Sequence, residues 1–381
     1  LYLGITNALY LDAVRFGKQK ATNNIIAFNP AFTNSTTPVA YMRGTNGAAF
    51  RFQFWTIGDA DNETTVPNSV QANVDFSGGK LDALTGTLIV GRGEVNTADT
   101  GYAQGTLTFT AGTLDALNLT NGWGRGNSSA TATISGIVNV NGTATLACPN
   151  ITLAQTNGGV NAALVSGTLN VTNGTVRGNI NAGGGVSTVN LKSGTLVVST
   201  NVGSAASPLT ALSLSTAALH FRADGNATAS SIYAASVATS GTSTITIDSV
   251  ANVASTKTVH LISYSGATPF ASLSLAPLPS GYTGNLADSG TSIDLVINVA
   301  VVVSTPPTIR NIQISGGQII IGGTNNVGAG GTYSILTTTN LLVPRTNWVV
   351  LTSGSFDANG NFSSTNATGT SRMQFYLLRV P

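Results

Sequence analysis

Along most of this chain apolar and polar residues alternate in short runs, and Gly, Asn, Ser and Thr separate one run from the next. Period-two alternation bounded by turn residues is the signature of β-strands. The pattern also repeats. Residues 76–93 read FSGGKLDALTGTLIVGRG and residues 109–126 read FTAGTLDALNLTNGWGRG, an ungapped match 33 positions apart. Apolar residues at helical spacing do not cover either copy, so each is a unit of strands and turns. A repeat of this size marks a solenoid, a propeller or an array.

The phrase returns in weaker form at residues 134–140 (ISGIVNV), 165–171 (VSGTLNV) and 192–198 (KSGTLVV). Its marker glycines, Gly79, Gly112, Gly136, Gly167 and Gly194, are 33, 24, 31 and 27 residues apart. Uneven spacing suits a β-helix whose turns vary in length, whereas a propeller blade needs four strands and a longer repeat. The expected fold is all-β: a parallel β-helix (β-solenoid) of roughly ten coils, about 50 Å long at strand spacing. Equivalent positions then stack, with Leu81 and Leu114 inward on adjacent coils, Asp82 on Asp115, and Arg92 on Arg125.

Residues 1–20 already follow the coil pattern: LYLG at 1–4 echoes LIVG at 88–91, and LDAV at 11–14 echoes LDAL at 81–84. Longer turns are expected around Asn29-Pro30-Ala31 and Asp59-Ala60-Asp61-Asn62. The segment 50–58, FRFQFWTIG, is the most aromatic strand, and alternation places Phe50, Phe52 and Phe54 on one face. Strands continue through 201–300 without the Ser-Gly-x-Leu phrase. Ser304-Thr305-Pro306-Pro307 reads as a linker, because proline interrupts a ladder and stiffens the connection. Beyond it, hairpin signals at Ser315-Gly316-Gly317 and Asp357-Ala358-Asn359-Gly360 predict a small β-sandwich module. The domains expected are a β-helix over 1–303 and the module over 304–381.

Composition narrows the function classes. Of the 381 residues only 8% are charged, against about 25% in an average protein, so the surface is built from hydroxyls and amides. Net charge is +2 with no basic run, which gives a nucleic-acid partner little support. The hydrophobic content of 42% argues against disorder. One cysteine, Cys148, excludes an intramolecular disulfide, and with two histidines a multi-histidine metal centre is not expected. No cofactor is expected either. The aliphatic run at 295–303 is interrupted by Asn298 and is too short to span a bilayer. A removed signal peptide or an upstream segment would each account for a chain beginning at Leu1.

The Ser-Gly-Thr-Leu phrases resemble the autotransporter-associated β-strand repeats of bacterial secreted proteins. Residues 257–299, with LISY at 261–264 and LPSGY at 278–282, look like the closing segment of such passengers. The stretch from YSILT at 333–337 to FYLLRVP at 375–381 is similar to a β-module that ends many large exported bacterial proteins. The resemblance implies an extracellular or cell-surface location, without specifying an activity. A true autotransporter carries an outer-membrane barrel after such repeats, and no stretch within residues 1–381 is expected to form one.

Candidate sites are few. Stacked Asp82 and Asp115 with Arg92 and Arg125 would suit calcium or an acidic sugar; a repeated polar turn explains the same residues and is the favoured reading. Trp123, expected in the turn Asn121-Gly122-Trp123-Gly124, is the best candidate for carbohydrate contact, ahead of Trp55 and Trp348. His220 and His260 lack a neighbouring nucleophile and read as structural, and Cys148 reads as a core residue. Asn-x-Ser/Thr triplets, among them Asn118, Asn150 and Asn170, are frequent in so Asn- and Thr-rich a chain. Two functions compete: an extracellular structural or adhesive protein, not an enzyme, and a polysaccharide-binding or polysaccharide-cleaving β-helix. Scarce charge favours the first. The strand Phe375, Tyr376, Leu377, Leu378 is the candidate assembly strand, expected to cover the open first coil of another copy and so propagate a head-to-tail filament.

Overall fold

The computed structural model describes residues 1–18, 22–33, 37–60, 69–95, 100–126, 131–300, 307–325, 331–371 and 373–380. Ser304, Thr305 and Pro306 of the expected linker, and Asp61 and Asn62 of one expected turn, lie outside them. The chain divides into two compact units, Leu1–Ala300 and Val301–Pro381.

The first unit is a parallel β-helix with three walls. The first wall is a nine-stranded sheet running in order from Tyr2–Leu3 through Asn24–Phe28, Val70–Phe76, Tyr102–Phe109, Thr133–Asn141 and Val165–Thr172 to Val237–Ser240. Nine strands at about 4.8 Å span about 40 Å. The other two walls belong to one sixteen-stranded sheet, because long strands such as Lys80–Val95 and Gly112–Gly126 bend from one wall into the next. Burial alternates along strands such as Tyr102–Phe109 and Val165–Thr172, so apolar side chains stack on one continuous core. The winding ends by reversing direction. Lys257–Tyr264 pairs antiparallel with Ser292–Val299, which pairs antiparallel with Tyr282–Asp288.

The two near-copies do not stack as their alignment predicts. Phe76 is level with Phe109 on the first wall. After the turn, however, Gly112 faces Leu81 and Leu114 faces Ala83. The second copy takes a shorter turn between walls, so its strand enters two residues early. A two-residue slip preserves faces, and Leu81 and Leu114 both point into the core on adjacent strands. It does separate the charges. Asp82 is level with Thr113, Asp115 with Leu84, Arg92 with Trp123, and Arg125 with Glu94. No like-charged stack forms at these positions.

The marker glycines likewise occupy two different places. Gly105, Gly136 and Gly167 share one level of the first wall, 31 residues apart each time. Gly79, Gly112 and Gly194 sit at turns between walls, which explains the uneven spacing. Opposite the first group, on the third wall, lie Gly58, Gly91, Gly122 and Ala154, with φ of 71°, 71°, 79° and 56°. A Cβ on Gly136 would fall on the Val90 carbonyl and the Gly122 nitrogen, and one on Gly91 on the Ser135 carbonyl. Backbone therefore touches backbone along a seam. The seam separates the main core from a smaller one formed by Ala60, Val70, Ala103, Ala132, Ile134, Ala154, Val160 and Val165.

Two sequence expectations near the start are corrected. Phe50, Phe52 and Phe54 do not share a face, because the strand turns a corner between walls there. Phe52 and Trp55 pack inside, 5.9 Å apart between ring centroids. Phe54 lies under the Arg15 guanidinium and Phe50 is exposed. Tyr2–Leu3 belongs to the first wall; the true counterpart of the Leu88–Val90 level is Val14–Phe16, through Trp55–Ile57. The Asn29-Pro30-Ala31 turn contains a short helix, Pro30–Thr33.

The second unit has two three-stranded antiparallel sheets. One orders Thr308–Ser315, Gln318–Thr324 and Asn361–Ala367; the other orders Val349–Ser355, Thr332–Thr338 and Phe375–Arg379. Ile319, Ile321, Tyr333, Ile335, Phe356 and Phe362 fill the space between them, with the Tyr333 and Phe362 rings 4.6 Å apart. This is a small sandwich. No helix among the described residues is long and apolar enough to cross a membrane.

Candidate functional site

Two arginine–aspartate pairs sit where strands of the early coils bend and polar groups must be satisfied. Arg43 is buried and donates to Asp82 Oδ1 at 2.7 Å, to the Asp82 carbonyl at 2.8 Å and to the Ala48 carbonyl at 2.9 Å. Its guanidinium lies 3.9 Å from the Tyr41 ring centroid. Arg51 reaches past the intervening coil to Asp115, with 2.8 Å to Oδ2 and 2.7 Å to the main-chain carbonyl. Asp82 and Asp115 thus serve two different arginines and share no cation site. Among the described residues no group of three His, Cys, Asp or Glu side chains could hold a metal ion.

The sequence-favoured Trp123 lies within the strand Gly112–Gly126, not in a turn. Positive φ at Gly122 bends that strand and aims the indole to the outer side. The Arg92 guanidinium sits 5.0 Å from the ring centroid, and Arg92 also reaches the buried Asp59 at 3.6 Å. With its amide oxygen turned inward, Asn157 accepts the indole N–H at 3.0 Å. One ring face and the polar edge are therefore engaged by the protein itself, and only the opposite face is left for a sugar. Trp55 is in the core, and Trp348 donates to the Val343 carbonyl at 3.1 Å.

Both histidines have carboxylate partners that sequence spacing did not reveal. His220 Nδ1 lies 2.8 Å from Asp248 Oδ1, and His260 Nδ1 lies 2.8 Å from Asp294 Oδ1. A carboxylate on Nδ1 is the orienting half of a catalytic triad. The hydroxyl of Ser292, however, donates at 2.7 Å to the carboxylate of Asp294 and not to the ring. The His260 pair joins strands that run antiparallel where the winding reverses, a structural role. Nearby, the Thr268 and Tyr264 hydroxyls and the Gly290 N–H hold the Asp288 carboxyl below its ordinary value. Cys148 is in the core, and burial pushes its thiol up to about 11.

A feature missed by single-residue inspection is an amide ladder on the outer side of the first wall. Asn190 donates to Asn170, Asn170 to Asn139 and Asn139 to the Thr108 hydroxyl, each at 2.8 Å. The signal was present in the aligned Val-Asn-Val, Leu-Asn-Val and Val-Asn-Leu triplets at 138–140, 169–171 and 189–191. Thr106, Thr168 and Thr188 form part of the neighbouring outward row.

Among the described residues Phe375–Arg379 is an edge strand of its sheet, paired with Thr332–Thr338. At the other end of the described chain, Thr6–Leu11 and Ala13–Lys18 are likewise paired on one side only. Their inward residues Leu9, Leu11, Val14 and Phe16 are half-buried, whereas Met42, Trp55 and Ile57 at matching levels of the next coil are buried. Fold and side-chain geometry together define a parallel β-solenoid carrying a β-sandwich unit. No protein-family model matches the chain, and no curated protein matches it.

Proposed function

We propose that this is an extracellular structural or adhesive protein of a bacterial surface, without enzymatic activity, whose copies join end to end through unpaired strand edges. The carrying observation is the nine-stranded main-chain ladder in which, among the described residues, Thr6–Leu11, Ala13–Lys18 and Phe375–Arg379 are each paired on one side. Such edges are templates for another chain unless covered. The sparse charge and the hydroxyl- and amide-rich outer rows support an extended surface role. A head-to-tail filament, with the last strand of one copy on the first coil of the next, is one of the assemblies such edges allow. Micrographs and sedimentation velocity of the purified chain test this reading: filaments or oligomers are expected, and a strict monomer at high concentration overturns it. Surface labelling of intact source cells tests the location.

A second reading, a polysaccharide partner, draws on the Asn139–Asn170–Asn190 ladder and its threonine row. Their spacing of about 4.8 Å is of the same order as the rise of one sugar in an extended glycan. Retention of the chain on an insoluble polysaccharide, lost on replacing the outward threonines, would favour it.

A further inference from the structure

The sandwich unit is open along one side. Its strands Val349–Ser355 and Asn361–Ala367 are joined by a short turn and cross from one sheet to the other. That leaves Thr308–Ser315 and Phe375–Arg379 as the edges of the opposite side. In Thr308–Ser315 the register shifts between Ile309 and Asn311. The extra residue, Arg310, brings Ile309, Ile312 and Ile314 all to the inner side, level with Gly323, Ile321 and Ile319. Ile321 and Ile319 are buried in the core, yet Ile312 is 52% exposed and Ile314 71% exposed. Across from them Tyr376 and Leu378 face inward and are only partly buried. An apolar inner face is thus uncovered beside a strand whose outer hydrogen-bonding edge is free.

We infer that the occupant of this side is the same side of a second copy, joined by antiparallel pairing of Phe375–Arg379 with itself. The inference rests on the reading that copies join through strand edges and says which edges meet. Paired residues of antiparallel strands share a face. The register that uses all five residues and keeps Tyr376 and Leu378 inward is the one centred on Leu377. It sets Tyr376 against Leu378, Leu377 against Leu377, and Phe375 against Arg379, where the guanidinium can lie on the ring. The two sheets become one of six strands, and Ile312 and Ile314 of both copies come together beneath the seam. The contact is isologous and closes on itself.

A single cysteine tests the geometry, because only a two-fold contact brings a residue against its own copy. At the symmetric position the Cα atoms lie about 4.5–5.5 Å apart, within disulfide reach. Cys148 adds no background, since it is buried and its thiol is raised to about 11. The full chain carrying Leu377→Cys, oxidised in air, is expected to run as a reducible dimer. Leu377→Lys, which sets like charges face to face on a half-buried outer position, is expected to shift sedimentation from dimer to monomer. If Leu377→Cys does not link to itself while a Tyr10→Cys/Leu377→Cys chain links into a ladder, this pairing is overturned and the end-to-end reading stands. If neither links and the wild-type chain sediments as a monomer, both are overturned.

Discussion

The glycine seam permits a quantitative test of what holds the coils together. Gly136 has an ordinary φ, but a Cβ there would meet main-chain atoms of Val90 and Gly122 and the Asn121 carboxamide. Backbone on both sides cannot swing away, so Gly136→Ala carries an overpacking cost of about 1–3 kcal/mol. Gly266 has the opposite profile: φ is +88° and nothing lies within 4 Å of its Cβ position. Gly266→Ala therefore carries only the left-handed backbone cost, about 1–2 kcal/mol. Gly91 combines a φ of +71° with a Cβ position on the Ser135 carbonyl, so the two costs add to about 2–5 kcal/mol in Gly91→Ala. Ala154, at the same level one coil beyond Gly122, shows that the backbone angle by itself is tolerated with a methyl group. Thermal unfolding followed by circular dichroism reads the series, with the three transition temperatures falling in the order Gly266→Ala, Gly136→Ala, Gly91→Ala from mildest to most severe. A Gly91→Ala protein no less stable than Gly266→Ala would refute the argument, since the walls would then be free to part at the seam.

Two further outcomes are expected. Asn170 both donates and accepts in the amide ladder, so Asn170→Ala should lose about 1–3 kcal/mol at roughly 0.5–1.5 kcal/mol per net hydrogen bond; Asn190→Ala, which removes one such bond, should lose about half, and equal losses in urea titrations would contradict a ladder. Burial of Cys148 raises the folded thiol from 9.0 to about 11, so the unfolded chain releases its proton first and stability falls between those two pH values, by up to about 1.4 kcal/mol per unit. The decline should be shallower in Cys148→Ser, and rapid alkylation of the native thiol at pH 8 would contradict the burial.

The sequence by itself determined the class of this protein and the faces of its strands. Alternation and the near-copies at 76–93 and 109–126 encode parallel coils, because side-chain direction in a strand follows from position parity alone. Leu81 and Leu114 point inward even though their coils are out of step by two residues, since an even slip leaves parity unchanged. Turn chemistry around Ser315-Gly316-Gly317 likewise announced a hairpin that the second unit contains. The tertiary structure alone decided which residues lie level. That depends on turn length between walls, and alignment of similar letters does not measure it, so Asp82 and Asp115 separate and find Arg43 and Arg51 from other coils. It also decided which glycines are seam and which are turn, because close approach of two walls is a property of the cross-section. The same holds for His260 and Asp294. They are neighbours only because the chain reverses at the last coil, and no local pattern in either strand records a partner that arrives from the opposite direction.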